Sequence, residues 1–176
     1  MSTGRFSSEA LNVLTASGWE DGRQISSELL RKYEAAGGQS HEPARTFLRE
    51  FGGLEIEFQN KLAMRSIETG TRDLQQLPGG VIPTEVVRFD PVDTIATFGG
   101  TTTLLCSRLM DKTMVTLGWS PTSQHVCLLD EDGCGYLATS STLSRIANCP
   151  DEFLTNLVEF SDCIDCGDPG RGIRRL

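Results

Sequence analysis

The sequence has no apolar run long enough to cross a membrane. None of its 176 residues belongs to a stretch approaching the ~18 consecutive apolar residues of a transmembrane helix. The opening residues, MSTGRFSSEALNV, lack a long apolar segment and include the acid Glu9, so we do not expect them to act as a secretory signal. We therefore expect a cytoplasmic protein with no membrane partner.

Cysteine is too scarce for a disulfide scaffold. The six cysteines should remain thiols in a reducing cytosol unless they bind a metal. Cys163 and Cys166 have the spacing of half a zinc site, but zinc would need a second pair. The only candidates for that pair lack the usual spacing: His125 with Cys127, or Cys134 with Cys149. We therefore expect neither a metal nor a cofactor.

Catalytic motifs are missing as well. There is no Gly-x-Ser-x-Gly, no phosphate-binding loop ending in Gly-Lys-Ser/Thr, and no His-Glu-x-x-His. Of the two histidines, His41 lies beside a predicted helix start, where we expect it to be exposed in the first turn. His125 alternates with Cys127 and could form a nucleophile pair, which leaves a hydrolase as a third hypothesis. Ordinary strand packing explains this pattern better, so we predict that the chain is not an enzyme.

Basic residues are almost absent from the second part of the chain. Arg145 is the single base between Thr113 and Gly170, a stretch that holds nine acids, and the whole chain has a net charge of −8. Such a surface repels nucleic acid and anionic lipids and attracts basic proteins. The alternative is that the charge serves solubility alone.

Apolar periodicity predicts three helices followed by a strand. The first helix should run from Ser7 or Ser8 to Gly18, the second from about Ser26 or Ser27 to Gly37, and the third from about Ser40 to Gly52. Each range begins at a serine that can cap a helix and ends at a glycine. The period then changes to two in residues 54–58, where Glu55 and Glu57 alternate with apolar residues. This alternation predicts a strand with one buried face.

The rest of the chain predicts mainly strands. Residues 85–89 read as a strand ended by Asp90-Pro91. Residues 63–67 read as a second strand, and the glycines and proline of 70–80 indicate a long loop after it. Residues 101–112 read as a helix whose apolar face carries Leu104, Leu105, Leu109 and Met110. The later predictions are a strand over 114–117, a turn over 118–121, a hairpin of 126–129 with 135–138, a helix or strand over 141–147, and a helix from Pro150.

Helices followed by a series of strands and a last helix indicate an α+β fold rather than βαβ units. We predict one domain over residues 1–176, with a core of about residues 8–160 and a polar C-terminal tail over 161–176. Its architecture should be N-terminal helices followed by a mainly antiparallel central sheet flanked by helices.

Five segments combine into a family signature: ALNVLTASGW (10–19), EPARTFLREFGGLEIEF (42–58), VVRFDP (86–91), LGWSPTSQHVCLLDEDGCGYLA (117–138) and PDEFLTNLVEF (150–160). In these segments the chain resembles the SUKH superfamily of bacterial immunity proteins, and within it the third family. The resemblance implies a scaffold that binds and neutralises a cognate polymorphic toxin, such as a nuclease or deaminase, without catalytic residues of its own. A regulatory or scaffold module for an endogenous cytosolic protein is the alternative.

Seven acids and one tryptophan are the candidate partner-binding positions. Tryptophan is enriched at interface hot spots, and a tryptophan in a turn could serve as one. We expect a basic toxin that acts on nucleic acid, no direct nucleic-acid binding, and a monomer or weak dimer. The candidate residues are Asp130, Glu131, Asp132, Trp119, Glu55, Glu57, Glu152 and Glu159.

Overall fold

A computed structural model describes residues 4–25, 27–61 and 84–159, and the backbone of Ile173–Arg175. These residues form six helices and seven strands. The helices are α1 (Ser8–Ala16), α2 (Glu28–Ala35), α3 (Glu42–Phe51), α4 (Pro91–Phe98), α5 (Thr101–Met110) and α6 (Pro150–Glu159). The strands are β1 (Glu55–Gln59), β2 (Thr84–Arg88), β3 (Met114–Trp119), β4 (Val126–Asp130), β5 (Gly135–Ala138), β6 (Thr142–Ala147) and β7 (Ile173–Arg175).

Side-chain caps start three of the helices. Ser7 Oγ accepts a hydrogen bond from the Ala10 amide at 3.2 Å and begins α1, as predicted. His41 begins α3, since its Nδ1 accepts from the Ala44 amide at 3.2 Å. Its Nε2 lies 3.2 Å from the Leu129 carbonyl oxygen, so His41 is a half-buried cap. The expectation of an exposed first-turn histidine was wrong.

The helix α4 was not predicted. The strand β2 ends at Arg88, close to the predicted end at Asp90-Pro91, and the Asp90 carboxylate then accepts from the Val92 and Asp93 amides, each at 3.0 Å. Pro91 takes the first helical position, where a missing amide hydrogen costs nothing. An Asp-Pro pair is therefore the start signal of α4.

The strands form one antiparallel sheet in the order β1 to β7. A single residue pair, Arg88 with Trp119, joins β2 to β3. The register of β3 shifts between Thr116 and Gly118, so Trp119 pairs with Val126. Trp119 is thus the last residue of β3 and not a turn residue, which corrects the predicted turn over 118–121.

Helices cover both faces of the sheet. Cys127 and Leu129 of β4 join a core cluster with α1, α3 and α6, whereas Val126 and Leu128 join a second cluster with Cys106 of α5. This alternation along β4 gives the sheet two buried faces. The α+β fold predicted from the sequence is confirmed.

The inward face of α5 matches the predicted one at Leu109 and Met110, which pack against the second core cluster, and differs at Leu104 and Leu105. Leu104 and Leu105 are 52% and 48% exposed, and Cys106 is buried instead. Thr103 Oγ1 lies 2.5 Å from Thr116 Oγ1 of β3, and Ser107 Oγ accepts from the Met114 amide at 3.1 Å. Hydrogen bonds from small polar residues thus turn α5 so that its adjacent leucines face outward.

Two further predictions concern the ends of the described ranges. The predicted strand over 63–67 lies outside the described residues. The backbone of Ile173–Arg175 pairs with β6 as β7, so this part of the chain is a strand and not a polar tail.

Candidate partner-binding surface

The β4–β5 hairpin turn is built around Asp130, whose side chain is fully buried. Asp130 Oδ1 accepts from the amides of Asp132 at 3.0 Å and Cys134 at 2.8 Å. Its Oδ2 accepts from Lys112 Nζ at 2.8 Å and from the Tyr136 hydroxyl at 3.0 Å. Asp130 was predicted on the partner surface, but the structure places it inside, where it anchors the turn.

The neighbours of Asp130 decide its ionisation. Burial alone would raise the pKa of this carboxyl, but the hydrogen bonds from Lys112, the Cys134 amide and Tyr136 outweigh it, and the pKa is lowered. Hydrogen bonds to Asp130 and Asp132 raise the pKa of Lys112 above its ordinary value. The turn therefore holds a charged pair at neutral pH.

Glu131 and Asp132 are the exposed acids of the turn. Asp132 Oδ2 accepts from Lys112 Nζ at 2.7 Å, so part of its charge is compensated. Glu131 forms no ion pair with the part of the chain that the structure describes. Glu131 is therefore the residue of the hairpin most available to a basic partner.

Glu55, Glu57 and Trp119 come together on one face of the sheet. Glu55 and Glu57 are exposed at alternate positions of β1. Glu55 pairs across the strands with Arg88, and its Oε2 accepts from Arg88 Nε at 2.5 Å. Arg88 in turn lies opposite Trp119, so all four side chains share what we call the β1–β3 face.

Trp119 is half-buried on this face. Its Nε1 donates to Asp93 Oδ2 at 2.8 Å, and its ring meets Phe98 edge to face, with centroids 5.3 Å apart. These contacts with α4 hold the indole against the sheet. The Trp119 side chain therefore has a fixed position on the β1–β3 face.

Glu152 and Glu159 lie on the opposite side of the sheet. Their helix α6 packs through Phe153 into the core cluster that contains Cys127, whereas Trp119 lies opposite Val126 on the other face. Glu152 Oε2 accepts from the Asn148 amide at 2.7 Å and closes the start of α6. The predicted acidic surface is thus divided into three separate places.

Sequence reasoning missed a cleft between α2 and α5. The α2–α5 cleft has a volume of about 670 Å³. It is lined by residues of the turn after α2, by the N-terminal half of α5 and by Met114 and Thr116 of β3. Leu104 and Glu131 lie on its walls, so the cleft reaches from exposed Leu104 to the hairpin turn. Thr103, Cys106 and Ser107 are small residues at positions i, i+3 and i+4 of α5. This spacing was the sequence signal that the small side of the helix faces the sheet, which leaves Leu104 and Leu105 exposed.

The structure does not support the alternative hypothesis of a nucleophile pair between His125 and Cys127. Cys127 is fully buried, and burial, followed by the charge of Glu85, raises the pKa of its thiol. His125 Nδ1 instead lies 2.6 Å from Ser123 Oγ, and burial lowers the pKa of the imidazole. The void beside them measures about 10 Å³, so no substrate fits between His125 and Cys127.

Glu85 organises this interior network. It is 1% exposed, and its Oε1 accepts from the hydroxyls of Ser120 and, at 2.6 Å, Ser123. Its Oε2 accepts from Asn60 Nδ2 at 3.2 Å. The buried carboxylate thereby ties β1 and the β3–β4 loop to β2, which is a structural role.

Metal ligands do not converge within the described ranges. Residues 4–25, 27–61 and 84–159 contain no group of three or more His, Cys, Asp or Glu side chains arranged for a metal ion. Cys163 and Cys166 lie outside the described residues. Among the helices that the structure describes, none has the length and apolar character needed to cross a bilayer.

The helix-flanked antiparallel sheet and its ionic outer surfaces define an α+β domain. The family model of the SUKH-3 immunity proteins matches residues 6–160, which is most of the chain. The chain therefore belongs to the SUKH-3 immunity protein family, as its sequence motifs predicted. A search of curated proteins finds no match, and neither does a search of solved structures.

Proposed function

We propose that this chain neutralises a cognate bacterial toxin by binding it in the cytoplasm. The observation that carries the proposal is the family match over residues 6–160. The net charge of −8 supports a basic partner, such as a nuclease or deaminase that acts on nucleic acid. An acidic protein can occupy the positive channel that such an enzyme uses for its substrate.

Binding rather than turnover is the proposed mode of action. The candidate nucleophile Cys127 is buried with a raised thiol pKa, and His125 bonds to Ser123 instead. These features supply no activated nucleophile at that place. The chain's own contribution is therefore a shaped, charged surface.

Two exposed acidic places are the proposed contacts. Glu131 projects from the hairpin turn beside the α2–α5 cleft, and Glu57 lies on the β1–β3 face. Opposite charge speeds the encounter between proteins more than it strengthens the final complex. The charges should therefore act mainly on the association rate.

Charge reversal tests this surface. The variants Glu131→Lys and Glu57→Lys change the net charge equally, and Asp21→Lys provides a matched control in the exposed α1–α2 loop. Stopped-flow association is measured with the toxin domain encoded beside this chain's gene, over a series of salt concentrations. We expect at least one of the two variants to associate about tenfold more slowly than the control, with a shallower salt dependence.

Equal rates for all three variants would contradict binding through these acids. The alternative function, a regulatory module for an endogenous protein, differs in gene context. An immunity gene should stand beside the gene of a secreted toxin.

A further inference from the structure

We propose that the α2–α5 cleft receives an apolar side chain of the toxin, with Leu104 as the contact on the cleft wall, exposed Leu105 adding apolar surface next to it, and Glu131 pairing with an adjacent basic residue. This inference rests on the proposed function and adds the place of docking. The occupant is a protruding segment of a basic protein that carries an apolar residue beside a lysine or arginine.

The two leucines are the first reason. Leu104 and Leu105 are the large apolar residues most exposed in the described ranges, at 52% and 48%. They are held outward because Thr103 and Ser107 of the same helix hydrogen-bond to β3. Leu104 lines the cleft and exposed Leu105 follows it on the same helix, so α5 provides a preorganised apolar contact there.

The shape of the cleft is the second reason. Its volume of about 670 Å³ is large enough for several side chains. Four glycines are among its lining residues, Gly37 and Gly38 after α2, and Gly99 and Gly100 before α5. A Cβ at Gly37 or Gly100 would meet no atom within 4 Å, so open space remains beside the backbone at these positions. The partner's side chains can therefore approach the backbone closely.

Charge at the rim identifies the occupant. Lys112 is compensated by the carboxylates of Asp130 and Asp132. Asp111, Glu131 and Arg108 are exposed at the cleft. None of the three forms an ion pair with another residue in the described part of the chain. The hairpin end of the cleft is thus negative, which favours a basic residue there.

The same charge argues against a second copy of this chain as the occupant. Both copies would carry a net charge of −8, and a symmetric contact would bring acidic turns together. Like charges in apposition oppose association. A basic protein has no such penalty.

The test compares polar and apolar replacements of the two leucines. Leu104→Gln/Leu105→Gln keeps good helix formers at both positions but removes the apolar surface, and Leu104→Met/Leu105→Met keeps that surface. The Kd of each full-length variant is measured by calorimetry with the toxin domain encoded beside this chain's gene. We expect the glutamine variant to bind at least about 30-fold more weakly and the methionine variant within about threefold of wild type.

Outcomes separate this inference from the proposed function. If wild type binds and the glutamine variant, shown to be folded by circular dichroism, binds equally well, the cleft is not the docking site although the function stands. If wild type does not bind the toxin domain, the proposed function fails and this inference fails with it. Sedimentation of the free wild type should show monomers at micromolar concentration, and a dimer abolished by the glutamine variant would overturn the assignment of the occupant.

Discussion

At the residue scale, three consecutive acids of one turn have three different roles. Asp130 is buried with four hydrogen bonds, Asp132 shares Lys112 with it, and Glu131 is exposed at the cleft. The Asp-Gly turn signal predicted the hairpin correctly. It could not distinguish the acids, because their burial depends on Lys112 and Tyr136, which reach the turn only in the folded chain.

Replacement of Asp130 should destabilise the protein strongly. Asp130→Asn removes the charge that Lys112 and two amides bind, and losing a hydrogen bond to a charged group costs about 1.5–3 kcal/mol. The matched control Glu131→Gln, at an exposed position, should stay within about 0.5 kcal/mol of wild type. Urea unfolding followed by circular dichroism measures both, and equal stabilities would refute the internal role of Asp130.

The same pair predicts a dependence on pH. The folded-state pKa of Asp130 lies below its ordinary value of 3.8, so its stabilisation is complete above that value. The contribution is lost as the pH falls through the lower, folded-state pKa. The difference in unfolding free energy between wild type and Asp130→Asn should therefore be constant around neutral pH. It should become smaller only when the pH falls below about 3.8. Narrowing at neutral pH would contradict the assignment.

Thiol labelling should follow exposure. Cys149 is exposed, whereas Cys106 and Cys127 are buried, and burial raises the pKa of Cys106 to about 11. Iodoacetamide at neutral pH should modify Cys149 and leave Cys106 and Cys127 unmodified until urea is added. Peptide mass spectrometry reads the sites, and rapid native labelling of Cys127 would revive the hydrolase hypothesis.

At the element scale, local signals predicted most boundaries. The start of α1 at Ser7 and the strand β1 with its exposed Glu55 and Glu57 were both predicted. These features could be predicted because each depends only on residues that are neighbours in the sequence. The outward face of α5 could not be read in the same way. It is set by hydrogen bonds from Thr103 and Ser107 to β3, and adjacent leucines suggested the opposite orientation.

Gly118 should be essential for the junction of β2 and β3. A Cβ at this position would lie 1.9 Å from the Arg88 carbonyl oxygen, and a single residue pair joins the two strands. Gly118→Ala should therefore force β2 away and cost more than about 2 kcal/mol of unfolding free energy.

Gly4→Ala is the matched control for Gly118→Ala. A Cβ there meets no atom within 4 Å, so its stability in urea should equal that of wild type. If Gly118→Ala unfolds at the same urea concentration as this control, the close approach of β2 and β3 is not what requires glycine.

At the scale of the whole molecule, the sheet separates residues that the sequence grouped by charge. Glu55, Glu57 and Trp119 share the β1–β3 face, Glu152 lies on the other side, and Glu131 belongs to the cleft. Composition predicted an acidic protein, and family motifs predicted its class. The location of a contact surface depends on strand register and helix orientation, which composition does not contain.

The most direct test of the central claim is binding between purified wild-type chain and the toxin domain encoded beside its gene, with growth measured when the two are co-expressed. The account predicts a stable complex and restored growth, with binding that weakens as salt rises. A toxin domain that remains lethal and unbound in the presence of excess chain would contradict it.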